Sequence, residues 1–279
     1  MPELPEVETI RRSLASQIVG KKIRSIGILE KKQFTGSLKD VLGFKITNIS
    51  RWGKVLIINL NNGKYVNFHL KMSGEILFAK NSKNAVFKNN LPRSKTNKLP
   101  NQHTRCVIYL DDDSVIFFND LRKFGWIRIT PKPEGYKSPD VLSKDFTLIH
   151  LRKITKSSKK PIKLLLMDQE KVAGLGNIYT NDALWEAHIH PKRASNSITE
   201  KEIKILHQAI LKTINEGIKY KGSSAKDEMY VMPDSSKGEY QYHFKVYHRQ
   251  GQPCLRDKTK INGIRLGGRG TFFCPECQK

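Results

Sequence analysis

The first nine residues, Met1-Pro2-Glu3-Leu4-Pro5-Glu6-Val7-Glu8-Thr9, open a helix at once. Pro2 and Pro5 suit a first helical turn, whose N–H groups have no partner inside the helix. Glu3, Glu6 and Glu8 complement its positive end. Leu4, Val7, Leu14 and Ile18 fall on one stripe and Gly20 closes the segment, so residues 1–20 form a helix with one face to bury. The chain supplies the partner for that face immediately. From Ile23 to Thr130 the pattern is that of strands: Val55-Leu56-Ile57-Ile58 is a buried run, Asn61-Asn62-Gly63 a turn, and Val66, Phe68, Leu70 and Met72 alternate with Tyr65, Asn67, His69 and Lys71. Cys106-Val107-Ile108-Tyr109-Leu110 and Val115-Ile116-Phe117-Phe118 flank Asp111-Asp112-Asp113 as a hairpin. A helix followed by an antiparallel sandwich or barrel is the reading for residues 1–130.

Within it, residues 79–104 are rich in Lys and Asn, carry two prolines and show no periodicity, which predicts a long, mobile, basic loop. Residues 131–145, beginning Pro131-Lys132-Pro133-Glu134-Gly135, read as a linker. Beyond it the period turns helical, near 147–155, 161–169, 177–188 and 199–220, with Gly174-Leu175-Gly176-Asn177 breaking two segments and Asn177 placed as an N-cap. A polar loop at 221–239 and a tail bearing Gly, Arg and Cys complete the chain, and no internal repeat is present.

The 279 residues carry 50 Lys and Arg against 26 Asp and Glu, a net charge of +24. That length suits two domains, and the excess suits a polyanion: nucleic acid, an anionic membrane surface, or a place on the ribosome. A chain from a basic proteome, with its lysines simply solvated, would carry the same charge, so charge names a class of partner and no activity. No run of about 18 apolar residues occurs and the N-terminus lacks the basic-then-apolar pattern of a signal peptide, which predicts a soluble, cytoplasmic protein with no membrane partner. Cys106 stands alone while Cys254, Cys274 and Cys277 crowd the tail, a distribution unlike a disulfide framework.

That tail reads Cys254-Leu255-Arg256-Asp257, sixteen residues, then Cys274-Pro275-Glu276-Cys277. Paired ligands at this spacing each supply half a tetrahedron, so the pattern is a zinc ribbon with a carboxylate at one corner. Zinc takes Asp oxygen at about 2.0–2.2 Å, and a site of three cysteines and Asp257 holding one zinc ion is chemically sound. His243 or His248 as fourth ligand, or a metal-free hairpin held by packing, are the alternatives. Arg265 and Arg269 flank the Gly-rich turn between the half-sites, as DNA probes or as solvated charges.

Three stretches together resemble one family. Met1 to Thr9 is similar to the opening of formamidopyrimidine-DNA glycosylases, Gly174-Leu175-Gly176-Asn177-Ile178-Tyr179 to their helix-two-turn-helix element, and Val246-Tyr247 through Cys277-Gln278 to their terminal zinc finger. The matches run in order over essentially the whole chain. The resemblance implies an α+β fold: an N-terminal helix and antiparallel β-sandwich at 1–130, a linker at 131–145, a helical helix-two-turn-helix domain at 146–239 with a lesion-capping loop at 221–239, and a zinc-finger-like β-hairpin at 240–279. It implies a bifunctional DNA glycosylase and abasic-site lyase of base excision repair. The substrate would be double-stranded DNA carrying 8-oxoguanine, a formamidopyrimidine or an abasic site, engaged by a monomer.

The same resemblance assigns roles. Pro2, freed by removal of Met1, is the amine nucleophile; Glu3 is the general acid and base; Lys54, in Arg51-Trp52-Gly53-Lys54, grips phosphate beside the lesion. Met72, Arg122 and Phe124 fill the void left by the extruded base, while Asn177 and Arg269, joined by Lys163, hold the flanking phosphates. Without the resemblance, Glu3 would be a helix-dipole partner, Lys54, Arg122 and Arg269 solvated charges, Met72 and Phe124 core, and Asn177 a plain cap. Two departures from the family pattern stand out. Asp257 replaces a cysteine, and Ser224-Ala225-Lys226-Asp227-Glu228 replaces a Thr-Leu-Arg-Asp-aromatic stretch in the loop expected to cover 8-oxoguanine. Two other functions compete: a non-catalytic damaged-DNA-binding protein, against which the intact Pro2, Glu3 and Lys54 argue, and an endonuclease VIII-like glycosylase for oxidised pyrimidines, against which Arg122 and Phe124 argue.

Overall fold

The computed structural model describes residues 1–89, 91–94, 96–225 and 230–279. Their contacts form two compact units, Met1–Gly135 with Tyr220–Gln241, and Tyr136–Lys219 with Tyr242–Lys279.

The first unit begins with α1 (Leu4–Ile18) and continues as β1 (Ile23–Ile28), β2 (Phe34–Thr35), β3 (Ile46–Trp52), β4 (Val55–Leu60), β5 (Tyr65–His69), β6 (Gly74–Ala79), β7 (Thr104–Leu110), β8 (Val115–Asp120) and β9 (Trp126–Thr130). Two sheets result, one ordered β1-β7-β8-β6 and the other β2-β9-β5-β4-β3. Every pairing is antiparallel except β2 with β9. The stripe Val7, Ile10, Leu14 and Ile18 of α1 shares one core with Leu56 and Ile58 of β4, Val66 and Phe68 of β5, and Ile76, Ile108, Ile116 and Phe118 of the first sheet. The alternate residues Leu77, Val107, Val115 and Phe117 point to the other face of that sheet. There Ala85, Phe87, Leu91 and Leu99 cover them, so the segment expected to be a mobile loop packs four apolar side chains into a second core.

Residues 220–241, grouped by the sequence with the helical domain, have their contacts in this first unit for a physical reason. Tyr230 and Val231 are consecutive, and each is buried in a different one of the two cores. Lys226, Asp227 and Glu228 of the altered loop lie outside the described residues.

The second unit holds α2 (Leu148–Lys156), α3 (Ile162–Met167), α4 (Asn177–Glu186), α5 (Glu200–Lys219) and the hairpin of β10 (Asn262–Leu266) with β11 (Arg269–Phe273). The α4 helix is buried from Ile178 to Trp185. Its Asp182 is fully buried and accepts from the backbone N–H groups of Lys245 (3.1 Å), Val246 (3.0 Å) and Tyr247 (3.1 Å), fastening the chain that leads to the hairpin. Trp185 packs with Val246, Cys254, Ile261 and Cys274, and Arg256 stacks on its ring at 3.7 Å. Among the described residues no helix is long and apolar enough to cross a membrane.

Candidate active site and DNA-contacting residues

The helix start is built by its own acidic residues. Pro2 is buried and lies just outside α1, Glu3 is the N-cap, and Pro5 sits within the first turn, so only the second of the two prolines is helical. Glu3 N donates to Glu6 Oε2 at 2.8 Å. The other oxygen of Glu6, Oε1, accepts from Ser223 N at 2.8 Å. Gly222 makes that approach possible: its φ is +79° and a Cβ there would meet Glu6 Oε1 at 2.8 Å. Glu6 is thus a structural clasp, and Glu3, itself only 3 % exposed, is held beside Pro2 by backbone geometry.

Lys54 follows Gly53 in the turn between β3 and β4, where Gly53 has φ +58°. It is 4 % exposed, unlike the solvated lysine that composition alone suggests. The turn is tied to α1 by an ion cluster centred on the buried carboxylate of Glu8. Glu8 of α1 pairs with Arg11 (2.8 Å), Arg12 (2.8 Å) and the buried side chain of Arg51 (3.2 Å). Arg51 Nη1 in turn donates to Gly53 O at 2.8 Å. Burial raises the Glu8 carboxyl, but hydrogen bonds from Arg11 and Arg12 and the charge of Arg51 outweigh it and hold its pKa at about 2.

Met72, Arg122 and Phe124 are brought together by topology. The β5–β6 and β8–β9 connections both cross from one sheet to the other. His69 pairs with Trp126 where both leave one sheet, and Gly74 pairs with Asp120 where both meet the other, so the crossings run side by side. Met72 lies on the first crossing and Arg122 and Phe124 on the second. All three are exposed, Met72 by 37 % and Phe124 by 54 %, which excludes the core placement suggested by their apolarity. The Arg122 guanidinium stands 5.0 Å from the Phe124 ring centre and its Nη1 is 3.8 Å from Met72 Sδ.

His69, at this junction, was not singled out by the sequence. Its Nδ1 accepts from Lys71 N at 3.0 Å, and its ring packs on Trp126 at 5.6 Å. Burial lowers its pKa to about 3, with Lys71, Lys54 and Arg128 adding to the shift, so the imidazole is neutral and able to accept. The one available signal was polarity: His69 falls on the polar side of an alternating strand ending at Lys71-Met72.

In the second unit, Asn177 begins α4 and is partly exposed; the N-cap is Gly176, so the expected Asn177 cap is displaced by one residue. Asn181 Nδ2 donates to Asn177 O at 2.6 Å while Asn181 Oδ1 accepts from Phe272 N at 2.8 Å, joining the start of α4 to β11. Arg269 is exposed at the end of a two-residue hairpin turn, Gly267 (φ +57°) and Gly268 (φ +74°), which requires left-handed backbone at both positions. Lys163 departs from the expected direct phosphate contact. It is fully buried, and its Nζ donates to Gly270 O at 2.8 Å and Thr271 Oγ1 at 2.7 Å, the backing of the Arg269 turn.

One atom each of Cys254, Asp257, Cys274 and Cys277 lie within 4.8 Å of one another. Cys254 Sγ and Cys277 Sγ are 3.9 Å apart, and Cys274 Sγ is 3.3 Å from Asp257 Oδ2. A tetrahedron with metal–sulfur bonds of about 2.3 Å has sulfur–sulfur edges of about 3.8 Å, so these residues fit one zinc ion. Asp257 stands in the set; His243 and His248 do not.

Family models match nearly end to end: formamidopyrimidine-DNA glycosylase N-terminal domain at residues 1–127, formamidopyrimidine-DNA glycosylase H2TH domain at 138–229, and the zinc finger found in FPG and IleRS at 251–279. The chain is 37% identical over 290 residues to formamidopyrimidine-DNA glycosylase of Streptococcus mutans serotype c, with 100% of both covered. Among solved structures it is similar to the MutM (Fpg) protein of Thermus thermophilus, with TM-score 0.86 and 31% identity over 99% of this chain and 98% of the other. A point mutant of Lactococcus lactis Fpg, in complex with DNA containing Fapy-dG, matches with TM-score 0.84 and 33% identity, 100% of both chains being covered.

Proposed function

The chain belongs to the formamidopyrimidine-DNA glycosylase family, and from that premise we propose that it excises oxidised purines and then cuts the strand, as a bifunctional glycosylase and abasic-site lyase. Its place is then the cytoplasm, with the bacterial nucleoid, and it acts as a monomer. The observation that carries the reading is the burial of three reactive groups of the first unit, Pro2, Glu3 and Lys54, on elements tied to one another by Glu8 and Arg51.

Removal of Met1 gives Pro2 a secondary α-amine. Such amines titrate near about 8, against about 10.4 for lysine, and the positive end of α1 favours the neutral form. The nitrogen lone pair attacks C1′ of the damaged nucleotide, and the base departs with the C1′–N bond pair and takes up the proton that the new ammonium at Pro2 gives off. Glu3 protonates the ring oxygen as the sugar opens, leaving an iminium between Pro2 and C1′. The iminium acidifies C2′; loss of that proton expels the 3′ phosphate, and a second elimination expels the 5′ phosphate. Lys54 counters phosphate charge next to the reacting sugar.

Extrusion of the nucleotide costs a few kcal/mol of stacking and pairing. Phe124 wedges beside the vacated pair, Met72 fills the void, and Arg122 donates to the orphaned cytosine. Asn177 and Arg269 hold flanking phosphates, and Lys163 supports the Arg269 turn from behind. The one zinc ion held by Cys254, Asp257, Cys274 and Cys277 would fix the finger that carries that turn and supplies no chemistry to the sugar.

The test is intact mass before and after borohydride reduction with a duplex carrying 8-oxoguanine opposite cytosine. The expected product is a chain lacking Met1, covalently joined to DNA through Pro2. No adduct with either this duplex or an abasic one would replace the reading by that of a damaged-DNA-binding protein. An adduct with the abasic duplex alone would keep the lyase and move the lesion preference elsewhere.

A further inference from the structure

Asp120 ends β8 and is fully buried, and the proposed reaction gives it nothing to do. Four donors converge on its carboxylate. Oδ1 accepts from Ser73 Oγ at 2.5 Å and Arg122 N at 3.2 Å; Oδ2 accepts from Gly125 N at 2.7 Å and Gln33 Nε2 at 2.8 Å. The bonds interlock further, since Ser73 Oγ accepts from Arg122 N at 2.9 Å and Gln33 Nε2 also donates to Gly125 O at 2.8 Å. Ser73 follows Met72, Arg122 donates through its own backbone, and Gly125 follows Phe124. One carboxylate therefore holds all three exposed side chains by the chain at, or one residue beyond, each of them.

We propose that Asp120 is a positioning residue that presets Met72, Arg122 and Phe124 as a single wedge before DNA is engaged; the proposal rests on the reading of these three as void-filling residues. Both crossings need such a clamp. Lys71, before Met72, and Lys123, between Arg122 and Phe124, lie in the left-handed region at φ 51° and φ 57°, which non-glycine residues adopt only under constraint. His69 Nδ1 secures the first and Asp120 the second. Gly125 is required by the same geometry, because a Cβ there would meet Phe118 Cζ at 2.7 Å and Asp120 Oδ2 at 3.1 Å. The two oxygens of a carboxylate offer acceptor sites to all four donors, whereas an amide in its place would turn its own hydrogens toward some of them. The contacts of Arg122 with Phe124 and Met72 follow from this clamp, and a wedge already assembled does not have to be ordered at the moment of base extrusion.

The test compares the full chain with Asp120→Asn, whose amide hydrogens would face donors on at least one side. Two readouts are independent of how much protein is folded. One is the ratio of abasic-strand cleavage rates opposite cytosine and opposite adenine. The other is the rate constant of the rise in 2-aminopurine fluorescence beside a tetrahydrofuran site. In Asp120→Asn the ratio moves toward one and the rate constant falls, each by on the order of tenfold. If circular dichroism shows that this variant does not fold, Ser73→Ala removes two of the interlocking bonds and shifts both readouts the same way. A folded variant with both readouts at the wild-type values overturns the proposal. Arg122→Ala and Phe124→Ala are run in parallel. If they also leave both readouts unchanged, the void-filling reading itself fails; if they alter them and the Asp120 and Ser73 variants do not, only the clamp fails.

Discussion

A carboxylate in the first turn of a helix ordinarily serves the helix, and Glu6 does so here by accepting from Glu3 N and Ser223 N. Glu3 is the residue to which the proposed mechanism assigns the acid–base chemistry. Replacing it by Gln keeps the N-cap backbone and removes the ionisable group, so Glu3→Gln should lose base excision by at least about a hundredfold while retaining affinity for an abasic duplex. Single-turnover gels and anisotropy check the two halves, and an unchanged excision rate removes Glu3 from the mechanism. His69 carries a pH consequence. Its folded pKa of about 3 lies below the ordinary 6.5, so between those values the unfolded chain binds a proton that the native chain does not. Its contribution is therefore complete above 6.5 and declines as pH falls. Between about pH 6.5 and 5, above the titration of ordinary carboxylates, the wild type should lose thermal stability more steeply than His69→Asn, whose Oδ1 can still accept from Lys71 N. Equal slopes by scanning calorimetry would mean that His69 is not buried in the neutral form.

Regular elements and the irregular segment at 79–104 differed in how openly the sequence displayed them. The alternation through Val66, Phe68 and Leu70 and the runs at 106–110 and 115–118 give the sandwich because packing there depends on parity alone. Ala85, Phe87, Leu91 and Leu99 stand two, four and eight residues apart, a spacing that no regular element repeats, so residues 79–104 read as mobile. Pro2 and Glu3 were singled out by the resemblance of their motif, and the finger ligands were readable because the members of each pair lie three residues apart. Asp120 and His69 were not, because their roles arise only when β5 pairs with β9 and β6 with β8. Lys163, placed on a phosphate by the resemblance, instead donates to Gly270 O and Thr271 Oγ1, a partnership that depends on β11 lying over α3 and leaves no local signal. In the hairpin, Asp257→Ala should lower bound zinc per chain well below one after dialysis, by elemental analysis, whereas Asp257→Cys should retain it. Full zinc content in the alanine variant would mean that a donor outside this set completes the site.

Across the whole chain the net charge of +24 sets a background attraction to DNA on which the specific contacts are superimposed. With two or three phosphates neutralised by groups such as Lys54 and Arg269, affinity for a tetrahydrofuran duplex should fall by about tenfold to fortyfold between roughly 50 and 200 mM salt. Arg269→Ala should flatten the slope of log affinity against log salt by about one and weaken lesion and plain duplexes alike. A slope unchanged by that substitution would place Arg269 away from the backbone.

The discontinuity of the first unit bears on synthesis. A ribosome delivers residues 1–135 early, yet the partners of Glu6 and of both sandwich cores, Ser223, Tyr230 and Val231, emerge only after the helices of the second unit have been translated. The nascent chain thus carries the start of α1 from the first moment but cannot finish the surroundings of that helix start until more than three quarters of the message has been read. An interrupted translation product ending before residue 220 would hold Pro2 and Glu3 on an incomplete scaffold, so the first segment to be made is completed by one that emerges late.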